Sequence, residues 1–334
     1  MIYKYWTDII REVFPNADIL DAALEYPVTN NGWNLDLPKI EDCRFDDPKY
    51  KLFVCLQDWL SEGEKYPSEL ERAYEYFSKH HVPMDQIIFI VETPGIANAW
   101  PKDRFKIIEF SAFNYTTWCE YKAAEDVLRE AFGTEHKDFE YNFVCPQRNY
   151  KPHRAVLANM LDNRIGNVSL QTKRQELKYP NLSLDEYENT YNNLGNLLSM
   201  RKNYNTALFT IVSETQYTET YGVITEKLFN AIVAGHPFLV CAHREYLEHV
   251  RKLGFQTYNY IFDEVYDELD NMNRTKEMLH SNAPFVHKKL SAVEMQNIHE
   301  LCRPIIEFNR DWFFNHYGNM LVDELRIDLL AIWR

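Results

Sequence analysis

The stretch Phe209–Pro237, FTIVSETQYTETYGVITEKLFNAIVAGHP, decides the fold of the C-terminal half. Leu208–Val212 reads as a short apolar strand that runs into a polar loop carrying Ser213, Glu214 and Thr215. Thr225-Glu226-Lys227 then opens an amphipathic helix, which closes on Gly235 with Pro237 just beyond. Thr225 is a natural N-cap, and an acidic residue in the first turn is ordinary helix initiation. Lys227 is not, because a cation there opposes the helix dipole unless an anion is also present. A strand end, a polar loop and a helix start bearing a carboxylate and an ammonium suit a sugar nucleotide. The carboxylate accepts hydroxyls, while the ammonium and the free helix N–H groups take phosphate oxygens.

Outward from this stretch the same style recurs. Toward the N-terminus, Lys51–Leu56, Gln86–Val91, Lys106–Phe110 and Glu140–Cys145 read as strands. Ser68–His81 (capped by Ser68 with Glu71), Ala123–Phe132, Arg154–Asp162 and Asp185–Met200 read as helices. Beyond it follow a strand at Phe238–Cys241, a helix at Arg244–Leu253 stopped by Gly254, a strand at Phe255–Ile261 and a largely helical tail. Continuous apolar runs such as QIIFIV are typical of buried parallel strands. The expected fold is therefore α/β, in two Rossmann-like domains facing a cleft. The boundary is placed at 135/136 in FGTEHKD, giving domains 1–135 and 136–334, with the last helix able to pack back on the first.

Composition narrows the chemistry. Lys plus Arg is 36 against 50 Asp plus Glu, a net charge of −14, which disfavours a protein that mainly grips a nucleic-acid backbone. Glycine is scarce, 10 in 334 residues, and neither GxGxxG nor GxxxxGK[ST] occurs. Any phosphate must then be held by side-chain cations and helix ends. Open α/β sheets bind ligands beyond the carboxyl ends of their strands. After the strand ending at Cys145, Arg148, Lys151 and Arg154 crowd into seven residues and offer such cations. A solvated basic loop is the plainer reading of the same three. The six cysteines are scattered without a CxxC pair and read as buried free thiols. The N-terminus is too polar for a signal peptide, and no apolar run reaches the ~18 residues of a membrane span. A soluble cytoplasmic protein, in a bacterial or host-cell cytosol, is expected.

The order strand–Ser213-Glu214-Thr215–loop–Val223-Ile224-Thr225-Glu226-Lys227–helix–Ala231, Gly235, Pro237 resembles the donor-binding motif of the α1,3-fucosyltransferases and related GT-B glycosyltransferases. The resemblance spans about residues 143–262. It implies a GT-B enzyme that takes a nucleoside-diphosphate sugar, with Arg154 and Lys227 on the diphosphate, Glu226 on the ribose, and Glu214 facing the sugar or supporting the loop. Thr215 stands where that family has asparagine, and Val223 where it has an aromatic residue, with Tyr217 and Tyr221 as substitutes. The donor is thus left open between GDP- and UDP-sugars. No cofactor or metal is implied.

For an inverting transfer a carboxylate must take the acceptor proton. Asp58 and Glu92, each at a strand end, are the candidates, and a capping role is the alternative for both. Asp46-Asp47 reads as a turn rather than a metal site, and His236 as structural. The expected partners are a sugar nucleotide and a hydroxyl acceptor. Two other functions fit the same residues. One is a virus-encoded glycosyltransferase acting on hydroxymethylated bases in DNA, with nucleic acid as acceptor only. The other is a non-catalytic nucleotide- or glycan-binding module.

Overall fold

The protein, here a computed structural model, is described over residues 4–21, 42–56, 66–92, 97, 100–101, 103–133, 138–147, 150–169, 193–215, 217 and 223–333. The expected boundary at 135/136 lies outside these residues. Among the described residues the fold is α/β with two sheets of four parallel strands each. By compactness the chain divides into Met1–Thr116 with Asn319–Arg334, and Thr117–Gly318.

In the first unit, α1 (Lys4–Val13) precedes β1 (Asp18–Asp21) and β2 (Leu52–Leu56). Then come α2 (Tyr66–Lys79), β3 (Ile87–Val91) and β4 (Lys106–Glu109). The strands lie in chain order β1-β2-β3-β4. Every residue of β3 is buried, which is why its sequence shows no alternation. Leu70, Ala73 and Phe77 on one face of α2 join Leu52, Val54, Ile87 and Phe89 in the core. The Phe89 and Phe105 rings stack there at 4.3 Å. α2 starts two residues before Ser68, so Ser68 lies inside the first turn rather than at the cap. Glu71 binds Arg104 instead of closing a capping box. Asp46 and Asp47 do form a turn, in which the Asp47 carboxylate accepts the Lys49 N–H.

The second unit begins inside α3 (Ala112–Ala123), which α4 (Glu125–Ala131) follows. β5 (Tyr141–Cys145), α5 (Pro152–Met160), β6 (Gly166–Val168), α6 (Asn193–Ser199), α7 (Arg201–Asn205) and β7 (Ala207–Ser213) come next. α8 (Glu226–Val233), β8 (Phe238–Cys241) and α9 (Tyr246–Lys252) follow, and from Asn271 on the chain is mostly helical. That tail comprises α10 (Asn271–Ser281), α11 (Ala283–Val286), α12 (Ala292–Trp312), a π turn at Phe313–Tyr317, and α13 (Gly318–Trp333), which from Asn319 on belongs to the first unit. Gly235 (φ 67°) and Gly254 (φ 85°) end α8 and α9 in the left-handed region. In both, the following N–H reaches back five residues, from His236 to the Ala231 carbonyl and from Phe255 to the Val250 carbonyl.

The expected strand at Phe255–Ile261 is not one. Its backbone groups are taken by side chains: Asn309 both donates to the Gln256 carbonyl and accepts its N–H, and the Glu264 carboxylate accepts the Tyr258 N–H. β8 is therefore the last strand in its sheet order, and its Val240 N–H donates to the Tyr266 hydroxyl rather than to another strand. All six cysteines are free thiols. Among the described residues no helix is long and apolar enough to cross a membrane.

Candidate functional site

The second sheet runs β6-β5-β7-β8, with β5 hydrogen-bonded to both β6 and β7. The chain leaves β5 to one side for β6, then crosses back to β7 on the other. By the general rule for open α/β sheets, that reversal marks the carboxyl ends of β5 and β7 as the crevice in which a ligand is held. Cys145 and Ser213 mark those ends. α5 and α8 start beyond them.

Glu214, the residue after β7, organises the crevice. It is fully buried, so its carboxylate needs partners to offset lost hydration. One oxygen accepts the Thr225 N–H (3.1 Å) and the Tyr246 hydroxyl (2.8 Å). The other accepts the Thr225 hydroxyl (2.7 Å) and lies 3.6 Å from the Lys227 ammonium. Its own N–H extends the ladder to the Cys241 carbonyl (3.0 Å). Burial, reinforced by the Glu214 charge, keeps the Tyr246 phenol well above its ordinary pKa, and so a neutral donor. Of the two roles that the resemblance implies for Glu214, this geometry is that of a support for the loop.

α8 starts on Thr225, an extended residue whose hydroxyl accepts the Lys227 N–H. The Lys227 ammonium donates to the Thr225 hydroxyl (2.9 Å) and to Glu226 (3.0 Å). The Glu226 and Lys227 side chains are 25% and 20% exposed, so both reach the surface while Glu214 does not. Burial works against the Glu226 carboxylate, but the Lys227 charge and hydrogen bond outweigh it and hold its pKa below the ordinary value.

α5 starts with Pro152 at its first position, a residue whose missing N–H costs nothing there. Lys151 is the extended cap residue and is half-buried. Arg154 is only 2% exposed. Its guanidinium donates to the Ser213 carbonyl (2.9 Å) and the Thr215 hydroxyl (3.2 Å), tying α5 to the end of β7. Burial lowers its pKa, and the charges of Glu214 and Glu226 pull the other way. Thr215 itself is exposed.

Four residues of the floor were not anticipated in these roles. His153 is pushed to a pKa of about 4 by burial, so its ring is neutral near pH 7. A carbonyl only accepts, so the 2.9 Å contact from His153 Nε2 to the Glu214 carbonyl fixes the Nε2–H tautomer. The ring stacks on Tyr217 at 4.7 Å and 8°. Tyr217 is buried, and its hydroxyl lies 2.6 Å from that of Thr275. It is thus a floor residue and presents no open ring face for a base to lie on. Arg274 donates to the Tyr217 carbonyl (2.8 Å) with its guanidinium 4.9 Å from the ring centre. Tyr246 and Arg274 lie 19 and 47 positions after Lys227, and only the chain's return to the sheet brings them here.

Arg148 and Tyr221 lie outside the described residues, as does Asp58. Glu92 follows β3 in the first unit, is 6% exposed, and accepts the Phe113 N–H (2.5 Å) at the start of α3. It caps a helix. His236 is likewise structural, bridging the Thr210 hydroxyl and the Tyr204 carbonyl. A cavity of about 510 Å³ in the first unit faces β4 and is lined by Trp100, Phe105, Glu109 and Asp328, among others. Burial and the Glu109 charge raise the Asp328 pKa, and Lys106 lines the same cavity. Among the described residues no three His, Cys, Asp or Glu side chains are grouped to hold a metal ion. No family model matches the chain, and neither does any curated protein or any solved structure.

Proposed function

We propose that the chain is a glycosyltransferase of the GT-B type that moves a sugar from a nucleoside-diphosphate donor to an acceptor hydroxyl. The observation that carries this reading is the pair Glu226–Lys227, partly exposed at the start of α8 and braced from below by the buried Glu214. It stands at the strand-order reversal, where a ligand belongs on topological grounds. Glu226 offers its carboxylate to a ribose diol. Lys227 and the N–H groups opening α8 and α5 face the diphosphate. As the acceptor oxygen bonds to the anomeric carbon, the bond from that carbon to the diphosphate oxygen breaks. The departing diphosphate gains charge, which these donors neutralise. The acceptor proton passes to a carboxylate base. Arg154 serves by holding the β7 exit in place, a positioning role.

The test is calorimetric titration with GDP and UDP, with incubation against GDP- and UDP-sugars to detect released diphosphate. One nucleotide is expected to bind the wild type and to bind Lys227→Ala at least tenfold more weakly. Binding of neither nucleotide sinks the reading. Tight binding with no slow release of diphosphate from any sugar nucleotide would make the chain a binding module instead.

A further inference from the structure

We infer that Arg274 is an oxyanion ligand of this same crevice, adding a buried positive charge to a site whose two glutamates offset Arg154 and Lys227; this rests on the donor reading above. Glu214 and Glu226 balance Arg154 and Lys227, so these four present no net charge to a diphosphate. Arg274 is additional. It is 2% exposed, and its Nη2 donates to the Tyr217 carbonyl at 2.8 Å. Its Nε and Nη1 are buried without a hydrogen-bond partner.

A buried guanidinium with two idle nitrogens is strongly unfavourable unless an anion completes it. The carboxylate on which it acts electrostatically is Asp267. That carboxylate is already engaged by the Leu247 and Glu248 N–H groups. The placement of Arg274 is equally specific. Its neighbour Thr275 lies 3.2 Å from Cys241 Sγ, at the carboxyl end of β8, and contacts the Tyr217 hydroxyl. Both Arg154 and Arg274 act electrostatically on His153 and on the Cys241 thiol, so the two guanidinium groups share one end of the sheet. The planar fork of arginine matches a phosphate oxygen pair. Because both idle nitrogens are covered, an incoming oxyanion must displace the Tyr217 carbonyl from Nη2 and draw the guanidinium outward.

Pyrophosphate is the probe, read by thermal unfolding and by calorimetry on the full chain. Pyrophosphate is expected to raise the wild-type unfolding midpoint. Arg274→Met should unfold at the same or a higher temperature than wild type without the anion, because it removes an unpaired charge. It should also lose the pyrophosphate shift. Arg274→Gln keeps a donor for the Tyr217 carbonyl and loses only the charge, so it decides the matter if Arg274→Met does not fold. Its pyrophosphate affinity should fall at least tenfold. An undiminished affinity or an undiminished shift overturns the inference. A wild type that binds pyrophosphate but neither GDP nor UDP removes the nucleotide reading and leaves Arg274 standing. Nucleotide binding that survives in Arg274→Gln does the reverse, and a chain that binds none of the three removes both.

Discussion

The two sheets of this chain have the same ingredients and different uses for them. Each has four parallel strands, and each sends a strand into a buried glutamate, Glu92 after β3 and Glu214 after β7. Both carboxylates accept a backbone N–H at a helix start, from Phe113 and from Thr225. The first sheet runs in chain order, so among its described strands no reversal opens a crevice. In the second the chain crosses over β5, and the helix that Glu214 braces carries Glu226 and Lys227 at its mouth. A buried carboxylate at a strand end is thus a brace in both sheets. The strand order and the charged residues that open the braced helix are what differ between them.

The comparison breaks most visibly at the two glutamates. Glu214→Ala removes the charged partner of Lys227 and Tyr246 in a buried setting, and should cost about 3–5 kcal/mol in urea unfolding. Glu92→Ala loses a charged cap and should cost about 2 kcal/mol. Equal losses would mean that the two braces are equivalent and that the crevice adds nothing. Next in size is Lys227→Ala, which should weaken nucleoside diphosphate binding by about tenfold to a hundredfold in calorimetry, the worth of one charged hydrogen bond. Thr225→Ala, which removes the N-cap of α8, should cost about 1 kcal/mol in the same unfolding assay.

The smallest signal is a pH slope. Burial takes His153 from 6.5 to about 4 and does the same to His249, so between those values the unfolded chain binds the extra protons. Their contribution to stability is present above pH 6.5, declines as pH falls, and is gone below about pH 4. His153→Phe should flatten part of that slope in pH-dependent unfolding, and an unchanged slope would show that His153 is not protected.

Much of this was legible in the sequence, for identifiable reasons. β3 and β7 read as strands because a parallel strand buried on both faces is an unbroken apolar run. α8 was readable from its Thr225 cap and Gly235 stop, and Glu226 and Lys227 came with it. α3 was missed because its run of aromatic and β-branched residues, AFNYTTWCEYKA, has little helical periodicity. Phe255–Ile261 was misread because side chains can carry a strand pattern while Asn309, more than fifty positions later, takes the backbone. The floor of the crevice failed for the same reason. His153, Tyr246 and Arg274 acquire meaning only from neighbours that the fold brings to them.

The Tyr266 hydroxyl against the Val240 N–H carries a consequence beyond the crevice. β8 is the terminal strand of its sheet order, wholly apolar (FLVC) and buried at every residue, so an outward N–H there needs a partner within the chain. The Tyr266 phenol oxygen, at 3.1 Å, is that partner, and it seals the sheet's margin where a fifth strand would otherwise pair. Tyr266→Phe keeps the packing and leaves the donor unpaired. The expected result is a chain that still folds but unfolds in urea with about 1–3 kcal/mol less stability, the cost of one buried N–H without an acceptor.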